Sequence, residues 1–442
     1  MAEPNWSNRT LFHGDNLDFL RAMNSNTVDL ITTDPPFNKG KDFHATPDSL
    51  AKGASFQDRW VWEKDVHEEW VDQITDDHPH VMNVIQGSRS SYGDDMGAFL
   101  CFMGVRLLAM KRVLKNTGSI YLHCDPTASH YLKELMDSIF GRKNFRNEII
   151  WSYQRWTGAT KHFQRMHDVL LFYGKSNNII FNMLKEPYSE KSKHKSARYS
   201  KLKDNGKIEQ SYTNDTSREK SMRDVWNISY LNSQSKERTG YPTQKPLLLY
   251  ERIIIASSKK GDIVLDPFAG CATTCVAAEK LGRKWVGIDI WDKAHEVVID
   301  RLKKECHLES AGGGRDDLIF TEGDITYTSE LPKRTDDGEI ASPFLRVKET
   351  VVDDDKDGEK MSRKEMVSIL LKNEGHKCQG CNREFDDARY LELDHKMPRA
   401  DGGSNRIKNR VLLCSPCNKL KRHYLTLSGL RRENEKLGYM VK

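Results

Sequence analysis

The sequence has no apolar run approaching the ~18 residues needed to cross a bilayer, and Met1 to Thr10 carries no apolar signal core. Membrane insertion and secretion are therefore not expected, and the chain should stay in the cytoplasm. Cysteine is sparse, nine in 442 residues, and forms no secreted disulfide framework. Two phosphate-binding signatures are also missing. The turn Gly270-Cys271-Ala272 is followed by no Gly-Lys-Ser/Thr, and a three-glycine dinucleotide fingerprint is reduced there to Gly270 alone. What remains is long enough for two or three domains, and 37% hydrophobic with 30% charged residues suits a globular protein.

The net charge of +5 is unevenly spread. Lys175 to Arg238 holds 14 Lys+Arg against 8 Asp+Glu, and Arg363 to Lys442 holds 18 against 10. Two basic blocks in an acidic frame suggest two surfaces for a polyanion, although each block alone also fits a solvated charged face. In the first of them, basic residues alternate with Tyr188, Tyr199, Tyr212, Trp226 and Tyr230. That mixture fits a DNA-contacting region over about residues 176 to 240, with a disordered insertion as the alternative.

Up to about residue 174, strand and helix signals alternate. Val28 to Thr33, Gly118 to His123, Ile149 to Trp151 and Val169 to Tyr173 read as strands. Leu100 to Leu114 and His130 to Phe140 read as helices. Residues 41 to 97, with Trp60, Trp62 and Trp70, interrupt the rhythm and read as an insertion over the active face or as an ordinary helical excursion. The rhythm resumes over residues 245 to 304. The fold class expected is α/β, a mostly parallel, doubly wound, helix-covered sheet. Residues 333 to 361 are acidic and poor in apolar residues, which predicts a linker. A helix from Ser362 to Asn373, capped by Ser362 with Glu365 as its box partner, then opens a small module.

The segment Ile263-Val264-Leu265-Asp266-Pro267-Phe268-Ala269-Gly270 runs from strand to turn, a helix follows near Thr273, and the next strand ends in Gly287-Ile288-Asp289. In doubly wound folds this arrangement lays a nucleoside across the carboxyl edge of the sheet, with the acid on ribose hydroxyls. Asp289 is the candidate acid, and Asp266, Phe268 and Gly270 are candidate cofactor residues. Without phosphate signatures, the loop favours a phosphate-free nucleoside, and S-adenosyl-L-methionine fits.

Asp34-Pro35-Pro36-Phe37 lies at the end of an earlier strand. A ring-conjugated amine is a poor nucleophile because its lone pair is delocalised. Two acceptors on its hydrogens push the nitrogen toward sp³ and stabilise the developing positive charge. The Asp34 carboxylate and the Pro35 carbonyl could form that pair, with Pro36 fixing the backbone and Phe37 stacking on the ring. A base inside a duplex is unreachable, so the target would be flipped out.

These segments together resemble a family. Gly14-Asp15, Asp34-Pro35-Pro36-Phe37, Gly118-Ser119-Ile120-Tyr121-Leu122-His123-Cys124-Asp125-Pro126, Tyr241-Pro242-Thr243-Gln244-Lys245-Pro246 and Asp266-Pro267-Phe268-Ala269-Gly270 look like the ordered motifs of β-group DNA amino-methyltransferases. The resemblance covers about residues 9 to 305. It implies that residues 176 to 240 recognise the target sequence, that Thr243 and Lys245 lie near the methionine end of the cofactor, and that Asp15 lies near its adenine. Asp at the first motif position implies methylation of adenine, whereas Ser is commoner for cytosine amines. Ala272 stands where the family often has a second glycine.

Near the C-terminus, Cys378-x-x-Cys381 and Cys414-x-x-Cys417 match a closed four-thiolate zinc site. Between and after these pairs, Leu393-Asp394-His395, Pro398, Gly402-Gly403, Asn409 and Cys414-Ser415-Pro416-Cys417-Asn418 resemble the HNH nuclease family. That resemblance implies a ββα-metal core from about Cys378 to His423, with His395 as general base. It also implies that Asp394 and Asn418 hold Mg2+ or another divalent ion, and that Asn409 ties the hairpin and orients His395. Asn418 stands where the family name expects a third histidine. The whole chain is thus expected to be a DNA methyltransferase over residues 1 to 332 and a nuclease-like zinc module over 362 to 442. Its partner is double-stranded DNA, with a homodimer as one arrangement. A cytosine-amine methyltransferase, or a methyltransferase whose zinc module only binds DNA, are the alternatives.

Overall fold

A computed structural model describes residues 3–155, 158, 161–187, 197–202, 208–213, 219–232, 234–307, 324–336, 361–398, 403–422 and 425–441. Alternating strand and helix signals become one nine-stranded sheet. Its strands in chain order are β1 (Thr10–His13), β2 (Val28–Thr33), β3 (Leu114–Cys124), β4 (Phe145–Ser152), β5 (His167–Gly174), β6 (Val225–Asn227), β7 (Ile263–Asp266), β8 (Lys284–Asp289) and β9 (Thr326–Thr328). They lie side by side as β6-β4-β5-β3-β2-β7-β8-β1-β9. The pairings are parallel except those of β5, which runs against both β3 and β4. The sheet is therefore mixed, and the reversal of β5 brings its first residues to the edge where the other strands end.

β2 is buried at every position, as an apolar and β-branched central strand should be. Helices cover both faces. On one side, α1 (Asn16–Ala22), α2 (Glu68–Asp77), α3 (Pro79–Tyr92), α4 (Asp94–Val113) and α5 (Ser129–Phe140) bury Leu20, Ile74, Ile85, Phe99 and Leu135 in one core. On the other, α6 (Leu247–Ser257), α7 (Thr273–Lys280) and α8 (Ala294–His307) bury Ile253, Val276 and Leu302 in a second. The scattered thiols Cys101, Cys124, Cys271, Cys275 and Cys306 are all buried in these cores.

Two expectations need correction. Residues 333 to 336 are not linker: Arg334 donates to Asp336 at 2.9 Å, and Asp336 accepts the Ser25 backbone N–H at 2.7 Å. The rest of that acidic stretch, 337–360, lies outside the described residues. Within the basic region at 176 to 240, the disordered-insertion alternative does not hold for the described residues that pair as strands. Lys185–Pro187 pairs with Glu219–Ser221, Ala197–Leu202 pairs with Ile208–Thr213, and β6 joins the main sheet. Tyr188 lies outside the described residues.

The C-terminal module opens with α9 (Arg363–Glu374), whose Ser362 and Glu365 form the expected capping box. An antiparallel pair, β10 (Leu391–His395) and β11 (Arg410–Cys414), leads into α10 (Ser415–Lys421) and α11 (Leu427–Lys436). Val411, Leu412, Leu413 and Leu430 pack with the four paired cysteines. The module docks on the first domain. Arg432 donates to both Asp18 oxygens at 3.0 and 2.9 Å, and the Ser428 N–H donates to Glu69 of α2 at 2.9 Å.

Candidate active site

One cavity of about 610 Å³ opens along the edge where β1, β2, β7 and β8 end, large enough for a nucleoside with its side chain. It brings together Asp34, Pro35, Pro36 and Phe37 with Asp15, Thr243, Lys245, Asp266, Phe268, Gly270 and Asp289, every residue the sequence nominates for the amine and cofactor halves. β2 and β7 are neighbours, so residues more than 200 positions apart in the chain end up side by side.

The glycine turn is held by carboxylates. Asp266 accepts from Thr33 at 2.9 Å, Thr274 at 2.6 Å and the Phe268 N–H at 3.1 Å. Burial pushes its pKa up to about 7 against these bonds. Asp289 accepts the Gly270 N–H at 2.6 Å and the Trp291 N–H at 2.8 Å, so it already ties down the turn it was expected to complement. Asp15 caps α1 through the Leu17 N–H and pairs with the buried Arg106 at 2.8 Å. Gly270 has φ +53°, and a Cβ there would stand 2.9 Å from the Tyr241 ring. Ala272 has φ +54°, a left-handed conformation that glycine adopts without strain, so alanine is accommodated at a cost.

The amine side centres on Asp34. Its Oδ2 accepts from Lys245 Nζ at 2.5 Å, and that ammonium also bonds the Thr243 carbonyl at 3.0 Å. Its Oδ1 stands 3.1 Å from His123 Nδ1, close enough for charge but off the line of a hydrogen bond. Asp34 Oδ1 is thus buried and accepts no hydrogen bond among the described residues. Burial alone would raise the Asp34 pKa, yet Lys245 and His123 hold it at about 2. Phe37 is only 6% exposed, edge-on to His123. The loop behind it is pinned by Asp58, which accepts the Phe37, Asn38 and Lys39 N–H groups at 2.7, 2.6 and 3.2 Å.

Asp58, Trp60, His67 and Trp70, all from the 41 to 97 insertion, line the cavity too, as does Arg106. The three tryptophans mark the insertion in the sequence, but no motif there signals Asp58. His123 lies within a quoted motif without a role attached, and Asp168 has no local signal.

In the module, the Sγ atoms of Cys378, Cys381, Cys414 and Cys417 lie within 4.8 Å of one another, which fits four thiolates about one tetrahedral zinc ion. Asn409 accepts the Met397 N–H at 2.8 Å and donates to the carbonyls of Met397 and Ser404, closing the loop after β10. His395 Nε2 lies 3.1 Å from Asn405 Oδ1. Asp394 pairs with the buried Lys421 at 3.1 Å, and Asn418 donates to Glu392 at 2.5 Å. A cation held by Asp394 would have to share that carboxylate with Lys421, whereas the Asn418 bond to Glu392 uses its Nδ2 and leaves Oδ1 available. His423 lies outside the described residues.

A family model described as DNA methylase matches residues 28–300. The chain belongs to that family. A second model, HNH endonuclease, matches residues 378–423, so this DNA methylase carries an HNH domain at its C-terminal end. Type II methyltransferase M.HpaI of Haemophilus parainfluenzae is 29% identical over 291 residues, 65% of this chain and 71% of its own length. DNA adenine methyltransferase YhdJ of Escherichia coli (strain K12) is 29% identical over 304 residues, 68% of this chain and 85% of its own. Among the described residues, no helix of the methylase is long and apolar enough to cross a membrane.

Two outcomes test the geometry of these sites. Gly270→Ala should weaken S-adenosylmethionine binding by about tenfold in calorimetric titration, because the new Cβ meets Tyr241 in a backbone already left-handed. A strong zinc chelator, or Cys414→Ser, should unfold the C-terminal module, read as rapid proteolysis within residues 378 to 441 while the first domain stays resistant.

Proposed function

We propose that this methylase transfers a methyl group from S-adenosyl-L-methionine to the exocyclic amine of adenine in DNA, and that its HNH domain cuts DNA with a divalent ion. The observation that carries the first part is Asp34, a carboxylate kept ionised by Lys245 and His123 and lining the cavity shared with the glycine turn. An ionised carboxylate beside an open cavity is an acceptor for an amine hydrogen. The cofactor supplies an electrophilic methyl group on a sulfonium. Asp34 and the Pro35 carbonyl draw on the two amine hydrogens and return electron density to nitrogen. The nitrogen lone pair forms the new bond to carbon, the carbon–sulfur pair stays on sulfur, and nitrogen sheds one proton to Asp34. Asp15, Phe268, Gly270 and Asp289 would hold the nucleoside, and Thr243 with Lys245 its amino-acid end. The aspartate at the first motif position and the similarity to YhdJ, a DNA adenine methyltransferase, support adenine over cytosine.

In the HNH domain, His395 would activate water, Asp394 and Asn418 would hold Mg2+ or a similar ion, and Asn409 would orient the loop. The four cysteines would bind a structural zinc ion. Modification and cutting in one chain, with one candidate recognition region at 176 to 240, support a restriction-modification enzyme in which methylation protects the sites it would otherwise cut. A second reading, a DNA-binding module without cleavage, is favoured by one observation: Lys421 already neutralises Asp394.

Mass spectrometry of nucleosides from treated DNA should give N6-methyladenine, and N4-methylcytosine instead would sink the adenine assignment. Asp34→Ala should lose transfer by at least about a hundredfold while retaining cofactor binding. With Mg2+, the protein should cut unmodified plasmid and spare plasmid it has already methylated. His395→Ala should abolish the cutting. Absence of cutting in the parent protein, with DNA affinity unchanged by His395→Ala, would leave the binding-module reading.

A further inference from the structure

His123 and Asp168 are the groups nearest the amine site to which the proposed chemistry gives no role. His123 lies near the end of β3 and is 1% exposed. Its ring sits edge-on between Phe37 and Trp151, with centroids at 5.5 and 5.6 Å. Nδ1 stands 3.1 Å from Asp34 Oδ1, and Nε2 stands 3.3 Å from Asp168 Oδ2, where a carboxylate can only accept. Asp168 is held on its far side by the Tyr153 hydroxyl at 3.2 Å. The line Tyr153–Asp168–His123 therefore leads to Asp34, which lines the cavity. It exists because β5 is reversed: Leu170 pairs with His123 across the ladder, so Asp168 reaches the edge where β3 ends.

A neutral side chain would not suit this place. Asp34 needs an opposite charge to remain an ionised acceptor. An imidazolium held by Asp168, with its Nδ1 3.1 Å from Asp34 Oδ1, meets that demand. Lys245 meets it at the other oxygen, Oδ2. We propose that His123 is a positioning residue for methyl transfer, oriented by Asp168, which holds the Asp34 carboxylate ionised and in place at the amine site. This rests on Asp34 as the amine acceptor.

The groups facing His123 set the direction of its pH dependence. Burial and the Lys245 charge push its pKa down, while Asp34 and Asp168 push it up and prevail. Lys245, Asp34 and Asp168 are the charged groups that act on it, and the Tyr153 hydroxyl stands behind Asp168. His123 is charged below its raised pKa, so turnover should hold at lower pH and fall as pH rises through that value. Asp34, with a pKa of about 2, stays ionised throughout.

The experiment measures single-turnover methylation against pH in the full chain, with cofactor affinity and thermal unfolding as controls. His123→Ala should lower the rate about a hundredfold, as a small misplacement of a reacting group does, with cofactor binding intact. His123→Gln serves if the alanine variant does not fold, and should show the same loss without the high-pH limb. Asp168→Asn keeps a hydrogen-bonding partner but removes a charge, and should move the limb toward lower pH. An unmoved limb in Asp168→Asn, or a wild-type rate in His123→Gln, would overturn the proposal. Asp34→Asn separates the two levels. If it still methylates, the acceptor reading fails as well; if it is inactive while His123→Gln is normal, only the role of His123 falls.

Discussion

A carboxylate buried at the carboxyl edge of a sheet must be neutralised or it loses its proton-accepting form, and Asp34 is such a group. Its two counter-charges come from different parts of the chain: Lys245 ahead of α6, and His123 on β3. Holding both within reach of the end of β2 requires β3 beside β2, and the segment before α6 folded over β7. The strand order is what permits this. β2 sits where the chain turns outward to β3 on one side and to β7 on the other, so the edge above it is a crevice flanked by loops from both halves. The charge, the crevice and the cofactor turn are one arrangement.

The same edge explains why so many acidic side chains gather there. Asp15, Asp34, Asp266 and Asp289 all follow or end strands of the central sheet. Each accepts from a backbone N–H, a hydroxyl or a cation. Asp266 and Asp289 accept the N–H groups of Phe268 and Gly270, and Asp266 also ties the turn to Thr33 of β2 and Thr274 of α7. That preorganises the turn at Gly270 before any ligand arrives, so less ordering is left for binding to accomplish.

The strands of the sheet were legible because their apolar runs are short, β-branched and bounded by turn residues, as Val28 to Thr33 illustrates. The amine and cofactor motifs were legible as types: an acid before two prolines, and a glycine turn with an acid one strand later. Sequence periodicity carries no direction, however, so nothing indicated that β5 runs backward. The pairing of His123 with Asp168 depends wholly on that reversal. Asp58 was hidden for a related reason: it lies about twenty residues from the N–H groups it caps, in an insertion whose only visible markers were tryptophans. The four-cysteine set was readable from spacing alone, but Lys421 on Asp394 was not. A buried lysine is exceptional, and its partner is set by the turn of α10 against β10.

The docking of the HNH domain follows from α1 and α2. Asp15 caps α1 at the cavity, and Asp18, one turn later, receives Arg432 of α11. On α2, Trp70 lines the cavity while Glu69 beside it accepts from Ser428. Neighbouring residues on both helices thus face the methylase site and the HNH domain in turn. Burial pushes the Asp18 pKa up against the pull of Arg432, so the pair depends on the arginine remaining in place. Lys396, next to His395, lies 3.9 Å from Asp72 of the same α2. One helix thus contributes Trp70 to the cavity lining and Asp72 to a contact beside the strand that carries His395. In a methylase that carries an HNH domain, the same short helix contributes to the cavity wall and to the contact with that domain.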